Sequence, residues 1–246
     1  MMDRLQAQMQ AMQMFSRAQE VTANNLANIN TPGYKSDKLF QQLLTEQVDG
    51  EQVTRTAPMQ QVSLEQGQLE PTGNDFDFAI DGQGFFMVED DGEAQLTRNG
   101  RFHLDPDGYL RTGDGANVMG RGGHIHIPES FHAMDNGQQE AQLEVAKDGT
   151  IRINDEAFDQ LRVVRVEDPS QLERRSAARF AAGNATLLPQ DPESKVMQGQ
   201  FEKGNVQTLH EMTDMMRNMQ MFEAQQRAMR STDEMLSQAT NQLGRF

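Results

Sequence analysis

Two histidines raise the question of chemistry first. His124-Ile125-His126 alternates imidazole with an aliphatic side chain. A strand here would set both rings on one face, a geometry able to hold a metal ion. The candidates for a third ligand are His103, His132 and Glu129, and no spacing ties any of them to the pair. The ordinary explanation is a half-exposed strand. Asp105-Pro106-Asp107-Gly108 has the opening of a calcium loop but lacks the later ligands and the glutamate at the twelfth position. It reads as a turn. Gly82-Gln83-Gly84 lacks the third glycine and the following helix of a phosphate cradle. No Ser/His/Asp order is legible, and the absence of cysteine excludes disulfides, cysteine-based zinc sites and thiol catalysis. A metal-dependent enzyme using His124 and His126 is therefore the rival reading. The expectation is no catalytic residue, no cofactor and no metal.

Charge and composition narrow the partners. The 246 residues carry a formal net charge of −15, which argues against nucleic acid or an anionic membrane surface. The charge is uneven. Residues 1–30 balance Arg4 and Arg17 against Asp3 and Glu20, and residues 205–246 hold four Arg against five Asp and Glu, so the middle carries −14. Near-neutral ends can pack against copies of themselves with little repulsion. No run approaches the 18 apolar residues of a membrane span, so no direct membrane insertion is expected. The start shows no basic region followed by an apolar one, so no cleaved signal peptide is expected either.

The elements that would position any site divide the chain into ends and middle. Twelve of the 17 methionines fall in residues 1–30 and 205–246. A 3-4 spacing from Met2 runs Met2, Leu5, Met9, Met12, Ser16, Gln19, Ala23, Leu26. From Met212 it runs Met212, Met215, Met219, Phe222, Gln226, Met229, Asp233, Leu236, Thr240, Leu243. These are helical seams, and a helix over 205–244 would be roughly 60 Å long. Methionine packs adaptably rather than uniquely, which suits assembly as well as an intramolecular hairpin. The ends are expected to be weakly ordered in a free subunit and firm against neighbours.

Between them the texture is that of strands and turns. Pro32-Gly33 suits the centre of a type II turn. Residues 35–72 read as a connecting segment with a short helical piece and an extended stretch. From Gly73 the pattern is β: Phe76, Phe78 and Ile80 alternate, Phe85-Phe86-Met87-Val88 is a buried strand, and Asp148-Gly149 sits between Leu143-x-Val145 and Ile151-x-Ile153 as a hairpin turn. Pro169 to Pro192 reads as a polar return connection. The expected fold is α+β: paired, coiled-coil-like terminal helices in 1–34 plus 200–246, a connection over 35–72, and an inserted antiparallel all-β domain over 73–199.

Three segments carry a family resemblance. Val21-Thr-Ala-Asn-Asn-Leu-Ala-Asn-Ile-Asn-Thr-Pro-Gly-Tyr-Lys35 closely resembles the N-terminal signature of bacterial flagellar rod and hook proteins. Gly67–Gly73, Phe78–Val88 and Leu96–Leu110, reaching on to Gly120, are similar to the core of the family's β domain. Val196–Val206, followed by Glu211-Met212 and the long seam, looks like its C-terminal region. Together they cover about half the chain, in the family's order. The resemblance implies a structural subunit of the basal-body rod, polymerising through its terminal helices into a periplasm-crossing shaft. It further implies that the partners are like subunits and other rod proteins, with export through the flagellar type III apparatus. The length and the Met212–Gln225 stretch look more like the proximal than the distal rod subunit, which is the alternative. Lys203-Gly204 stands where many relatives have a serine.

Asn24, Asn25 and Asn28 fall within little more than one turn, and asparagine is a poor interior helix former. Read as function, their amides bridge to the partner helix or a neighbouring subunit and fix register. Read blandly, they fray the helix end. The expected assembly interface is Asn24, Asn25, Leu26, Asn28, Asn205, Met212, Met215, Met219, Phe222, Met229 and Leu236. Phe40 and Leu44, four residues apart, resemble the family's short hydrophobic export signal; the alternative is packing of a short helix. A non-flagellar adhesin or coiled-coil scaffold would share the seams, with no reason to carry the Asn-rich block and the Gly-Phe-Phe segment together.

Overall fold

A computed structural model of the chain describes residues 2–48, 51–127, 143–153, 156–183 and 185–243. Side chains are described for 9–40, 59–127, 143–153, 156–183, 185–232 and 234–235. The architecture is α+β, with helix α1 (Met2–Ala27) near one end, α2 (Thr208–Leu243) near the other, and strands between them. The strands run β1 (Asp37–Val48), β2 (Glu51–Val62), β3 (Leu69–Pro71), β4 (Phe78–Asp81), β5 (Phe85–Asp90), β6 (Glu93–Thr97), β7 (Phe102–Leu104), β8 (Leu110–Thr112) and β9 (Asn117–Val118). They continue as β10 (Leu143–Val145), β11 (Thr150–Ile153), β12 (Glu156–Gln160), β13 (Val163–Val166), β14 (Glu173–Arg174), β15 (Arg179–Ala181), β16 (Leu187–Pro189), β17 (Lys195–Gln198) and β18 (Gln200–Glu202).

The chain forms two compact units. Unit 1 is residues 1–27, 37–61 and 207–246; unit 2 is residues 28–36 and 62–206. In unit 1, α1 packs against α2, and β1 pairs with β2. Among the described residues no helix is long and apolar enough to cross a membrane.

Unit 2 is built on one strand that is buried on both faces. Phe86 and Val88 of β5 enter a core with Phe78, Ile80, Phe102, Leu110 and Val118. Phe85 and Met87 point the other way, into a second core with Leu96, Val164, Val166 and Phe180. A strand with no solvent face has no polar positions, which is why Phe85–Val88 reads as a continuous apolar run. Strand β13 repeats the device: Val163 belongs to the first core, Val164 and Val166 to the second. It pairs antiparallel with β5 through Val163↔Phe86 and Val164↔Phe85. Burying about ten large apolar side chains in the first core contributes about 1.5–3 kcal/mol for each.

Three readings of the sequence change here. Among the described residues of 35–72 the expected short helical piece is absent: residues 37–48 and 51–62 are strands β1 and β2. Thr45, Val48, Val53, Thr54 and Thr56 favour extended backbone, and they outweigh the helix-like spacing of Phe40 and Leu44. Residues 28–34 and 200–206, grouped by the sequence with the helices, pack in unit 2, because Tyr34, Lys35 and Glu202 are buried there. The polar return connection holds β14, β15 and β16. Strands of two or three residues are too short to show alternation.

Other turn signals hold. Gly33 has φ of 66° in the Thr31–Tyr34 turn, as the second central position of a type II turn requires. A side chain there would overlap the backbone of Arg98 and Asn99. Asp148-Gly149 joins β10 and β11 antiparallel, with Leu143 opposite Ile153.

Candidate functional site

Three distant segments of the chain meet at one carboxylate in unit 2. Glu202, the last residue of β18, is 0% exposed. Its Oε1 accepts a hydrogen bond from Lys35 Nζ at 2.5 Å and one from the Gly67 N–H at 2.7 Å. Its Oε2 accepts from Arg98 Nη1 at 3.2 Å. Lys35, itself 1% exposed, also donates to the Glu65 carbonyl at 2.7 Å. Arg98 also donates to the carbonyls of Ile80 and Gly82 at 3.2 and 2.7 Å. Two buried cations therefore share one anion.

Burial pushes the Lys35 ammonium below its ordinary pKa; Glu202 pulls it back up, and Arg98 adds to the depression. Burial likewise lowers Arg98, opposed by the charge and hydrogen bond of Glu202. Glu202 is the anion that both buried cations share, and the more distant Glu65 charge also favours the Lys35 ammonium. Arg174 caps it. The guanidinium lies 4.9 Å from the ring centroids of both Tyr34 and Phe180, and Nη2 donates to the Lys35 carbonyl at 2.5 Å. Sequence reasoning missed Lys35, Arg98, Arg174 and Glu202 as a group. A charged residue inside an otherwise apolar or Gly-rich block was the available signal.

His124 and His126 are exposed while Ile125 and Ile127 are 0% and 1% exposed; the expected strand is reduced to isolated bridges with Met119 and Tyr109, with the same alternation of faces. His124 Nε2 lies 3.0 Å from a Glu89 carboxylate oxygen, and the His126 ring meets Tyr109 at 4.8 Å. Among the described residues no three His, Asp or Glu side chains converge as a metal site. His132 and Glu129 lie outside the described residues. Asp105 caps its own turn, accepting from the N–H groups of Asp107 and Tyr109, and pairs with Arg111. Gly82 and Gly84 lead into strand β5, not a helix.

The expected assembly residues divide into a hydrogen-bonded group and a helix surface. Asn25 is 2% exposed. Its Nδ2 donates to the Asp37 carbonyl at 2.9 Å and to Glu211 Oε1 of α2 at 3.1 Å, and its Oδ1 accepts from the Asp37 N–H at 2.9 Å. Asn205 bonds to Ser36, Ser63 and Glu65. Asn28 accepts from Thr31 through its carbonyl and its side chain. Asn24 is exposed and Leu26 half-buried. On α2, Met215, Phe222 and Met229 are half-buried, whereas Met212 and Met219 are exposed. The side chains of Leu236 and Leu44 lie outside the described residues, and Phe40 is 48% exposed.

The spacing on α2 is informative. Leu209, Met212, Met216 and Met219 are 80%, 46%, 60% and 46% exposed. At 100° per residue they share an arc of roughly 80°, directly beside the half-buried row of Met215, Phe222 and Met229. The apolar arc of α2 is thus wider than its covered part.

Glu211 sits at the helix contact. Burial raises its carboxyl pKa and the Asn25 hydrogen bond lowers it, while Asp214 pushes upward and His210 downward; the net direction is up. A raised folded-state pKa stabilises the fold below the ordinary carboxylate range. That contribution is lost as pH rises through the folded value. Acidifying from neutrality should therefore tighten α1 against α2, read as slower amide exchange at residues 211–215. Glu211→Gln should flatten that response, and a native chain without it would refute the assignment.

Comparison with known proteins follows the same geography. Residues 5–35 match the family model for flagella basal body rod protein. Residues 79–153 match the flagellar hook protein FlgE/F/G D1 domain. Residues 197–243 match the flagellar basal body rod FlgEFG protein C-terminal region. The chain is 32% identical over 235 residues to the flagellar basal-body rod protein FlgF of Salmonella typhimurium, covering 88% of each. It is 29% identical over 239 residues to FlgF of Caulobacter vibrioides, covering 94% of this chain and 93% of the relative. It is 31% identical over 247 residues to the basal-body rod protein FlgG of Agrobacterium fabrum, covering 89% and 90%.

Proposed function

Since the chain belongs to the flagellar basal-body rod protein family, we propose that it polymerises through its terminal helices into the rod as the proximal subunit. It is a structural subunit of the basal body and a part of the motility apparatus, not an enzyme. The observation that carries the assembly mode is the exposed Leu209–Met212–Met216–Met219 stripe beside a covered one. Exposed apolar side chains at helical spacing are satisfied by another helix. Methionine lets one stripe meet several slightly different neighbours, which a subunit between unlike rod proteins requires. The near-neutral ends favour such packing, and the acidic middle stays solvated. Met215, Phe222 and Met229 support the stripe from the covered side, and Leu236 continues the seam. Asn24 and Leu26 complete the surface on α1, while Asn25, Asn28 and Asn205 act from within. The relatives named FlgF support the proximal subtype; the distal subtype is the alternative.

Export through the flagellar type III apparatus, with Phe40 and Leu44 as its signal, belongs to the same reading. Phe40 is exposed on β1, available to a receptor. The test is a tagged chain expressed in place of the native one. The tag should copurify with isolated basal bodies, between the membrane-embedded base and the distal rod. Phe40→Ala with Leu44→Ala should leave the chain folded and retained in the cell. Complete rods without the tag would end the assembly reading, and normal secretion of the double variant would end the export reading.

A further inference from the structure

The chain passes between its two units four times, at 27/28, 36/37, 61/62 and 206/207. In unit 2 the ends of these crossings are tied to one another. The Ser36 carbonyl accepts from the Ser63 N–H at 2.8 Å. Asn205 closes the set: Oδ1 accepts from the Ser36 N–H at 2.7 Å, and Nδ2 donates to the carbonyls of Ser63 and Glu65 at 2.9 and 3.0 Å. The Asn205 N–H itself reaches the Tyr34 carbonyl at 3.2 Å. The remaining end enters through Asn28, which holds Thr31 at 3.0 Å, and Thr31 holds Tyr34 at 3.3 Å.

Unit 1 repeats the arrangement with a different asparagine. Asn25, two residues before its own crossing, bonds both backbone groups of Asp37 and reaches Glu211 in the first turn of α2. From the same helix Arg17 holds Gln60, beside the 61/62 crossing, at 3.0 Å. The successive amides of Ser36 and Asp37 are thus pinned one on each side of a crossing, by Asn205 and Asn25. Both residues are only 5% exposed, so water does not replace these bonds. An amide side chain offers an acceptor and a two-proton donor on separate atoms of one planar group. Aspartate at either position would keep the bond to the N–H and lose those to the carbonyls.

We infer that Asn25 and Asn205 are a matched pair of load-sharing clamps. Each ties chain crossings together on its own side, with Arg17 holding the 61/62 end in unit 1, so that force passing between the units is shared among the four covalent crossings. The source of that force rests on the rod reading above; the clamping does not. They are positioning residues, and their effect should appear under load.

The test uses the full chain. In Asn205→Ala, amide exchange at Ser36 and Ser63 should quicken about tenfold, with Phe86 and Leu96 unchanged as core references. Asn205→Asp should restore slow exchange at Ser36. In cells relying on Asn205→Ala, swimming speed should be near normal in dilute medium. It should fall several times more steeply than in the wild type as viscosity is raised. Unchanged exchange at Ser36 overturns the clamp, as does a viscosity curve parallel to wild type. If Asn205→Ala fails to fold, Asn25→Ala and the exchange rate at Asp37 decide in its place. A wild-type chain that does not restore swimming to a deleted strain sinks the rod reading, and the exchange rates still decide the clamp.

Discussion

Glu202→Gln is expected to destabilise unit 2 by about 3–5 kcal/mol, the cost of leaving a buried ion pair broken. The substitution keeps the shape and removes the charge. Lys35 and Arg98 are then buried with no anion between them, and the new amide group turns a donor toward other donors. Lys35→Met provides the contrast. It leaves Arg98 and Glu202 as a balanced pair and strands one acceptor, the Glu65 carbonyl, for about 1–3 kcal/mol. If bond count governed the cluster, Lys35→Met would cost at least as much, since it removes two hydrogen bonds whereas the glutamine oxygen can keep those from Lys35 and Gly67 and lose only that from Arg98. If charge balance governs it, Glu202→Gln costs distinctly more. The chain has two tyrosines and no tryptophan, and Tyr34 and Tyr109 both belong to unit 2. Tyrosine fluorescence during urea unfolding therefore reads this unit directly. Equal midpoint shifts for the two variants would show that the charge argument is wrong.

That cluster also marks the limit of what the sequence could yield. The terminal helices were legible because a 3-4 spacing is a local signal that packing does not erase. The Phe85–Val88 strand and the Asp148-Gly149 hairpin were legible for the same reason. Lys35 and Glu202 are 167 positions apart, and no local period connects them. The blocks that carry the family resemblance hold both residues and Arg98, yet a motif does not say which of its residues touch. Strands β1 and β2 were misread because Phe40 and Leu44 sit at helical spacing while the β-branched residues that decide the matter lie further on. The asparagine block was read as a register device between helices or subunits. In the structure Asn25 does reach Glu211 of α2, but it also holds the Asp37 backbone, a partner no heptad could suggest. For the histidines, an extended segment held by isolated bridges to Met119 and Tyr109 turns Ile125 and Ile127 inward and leaves both imidazoles exposed.

The second large effect belongs to the surface of α2. Replacing Met212, Met216 and Met219 together with glutamine is expected to abolish incorporation into basal bodies and with it swimming. Glutamine and methionine have similar helix propensity, and these side chains are 46%, 60% and 46% exposed in the free subunit. The triple variant should therefore keep its helix content, and its urea midpoint should stay within about 0.5 kcal/mol of the native chain. What it loses is burial against a neighbour. Three half-exposed methionines contribute about 1 kcal/mol each once covered, so each subunit contact weakens by about 3 kcal/mol, more than a hundredfold in affinity. A rod multiplies that loss at every copy. Met215→Gln with Phe222→Gln should behave in the opposite way, loosening unit 1 in the free chain before any assembly, because those side chains already pack within it. The two variants separate a surface made for neighbours from one made for the chain itself. Normal swimming in cells relying on the triple variant would show that the stripe is not an assembly face.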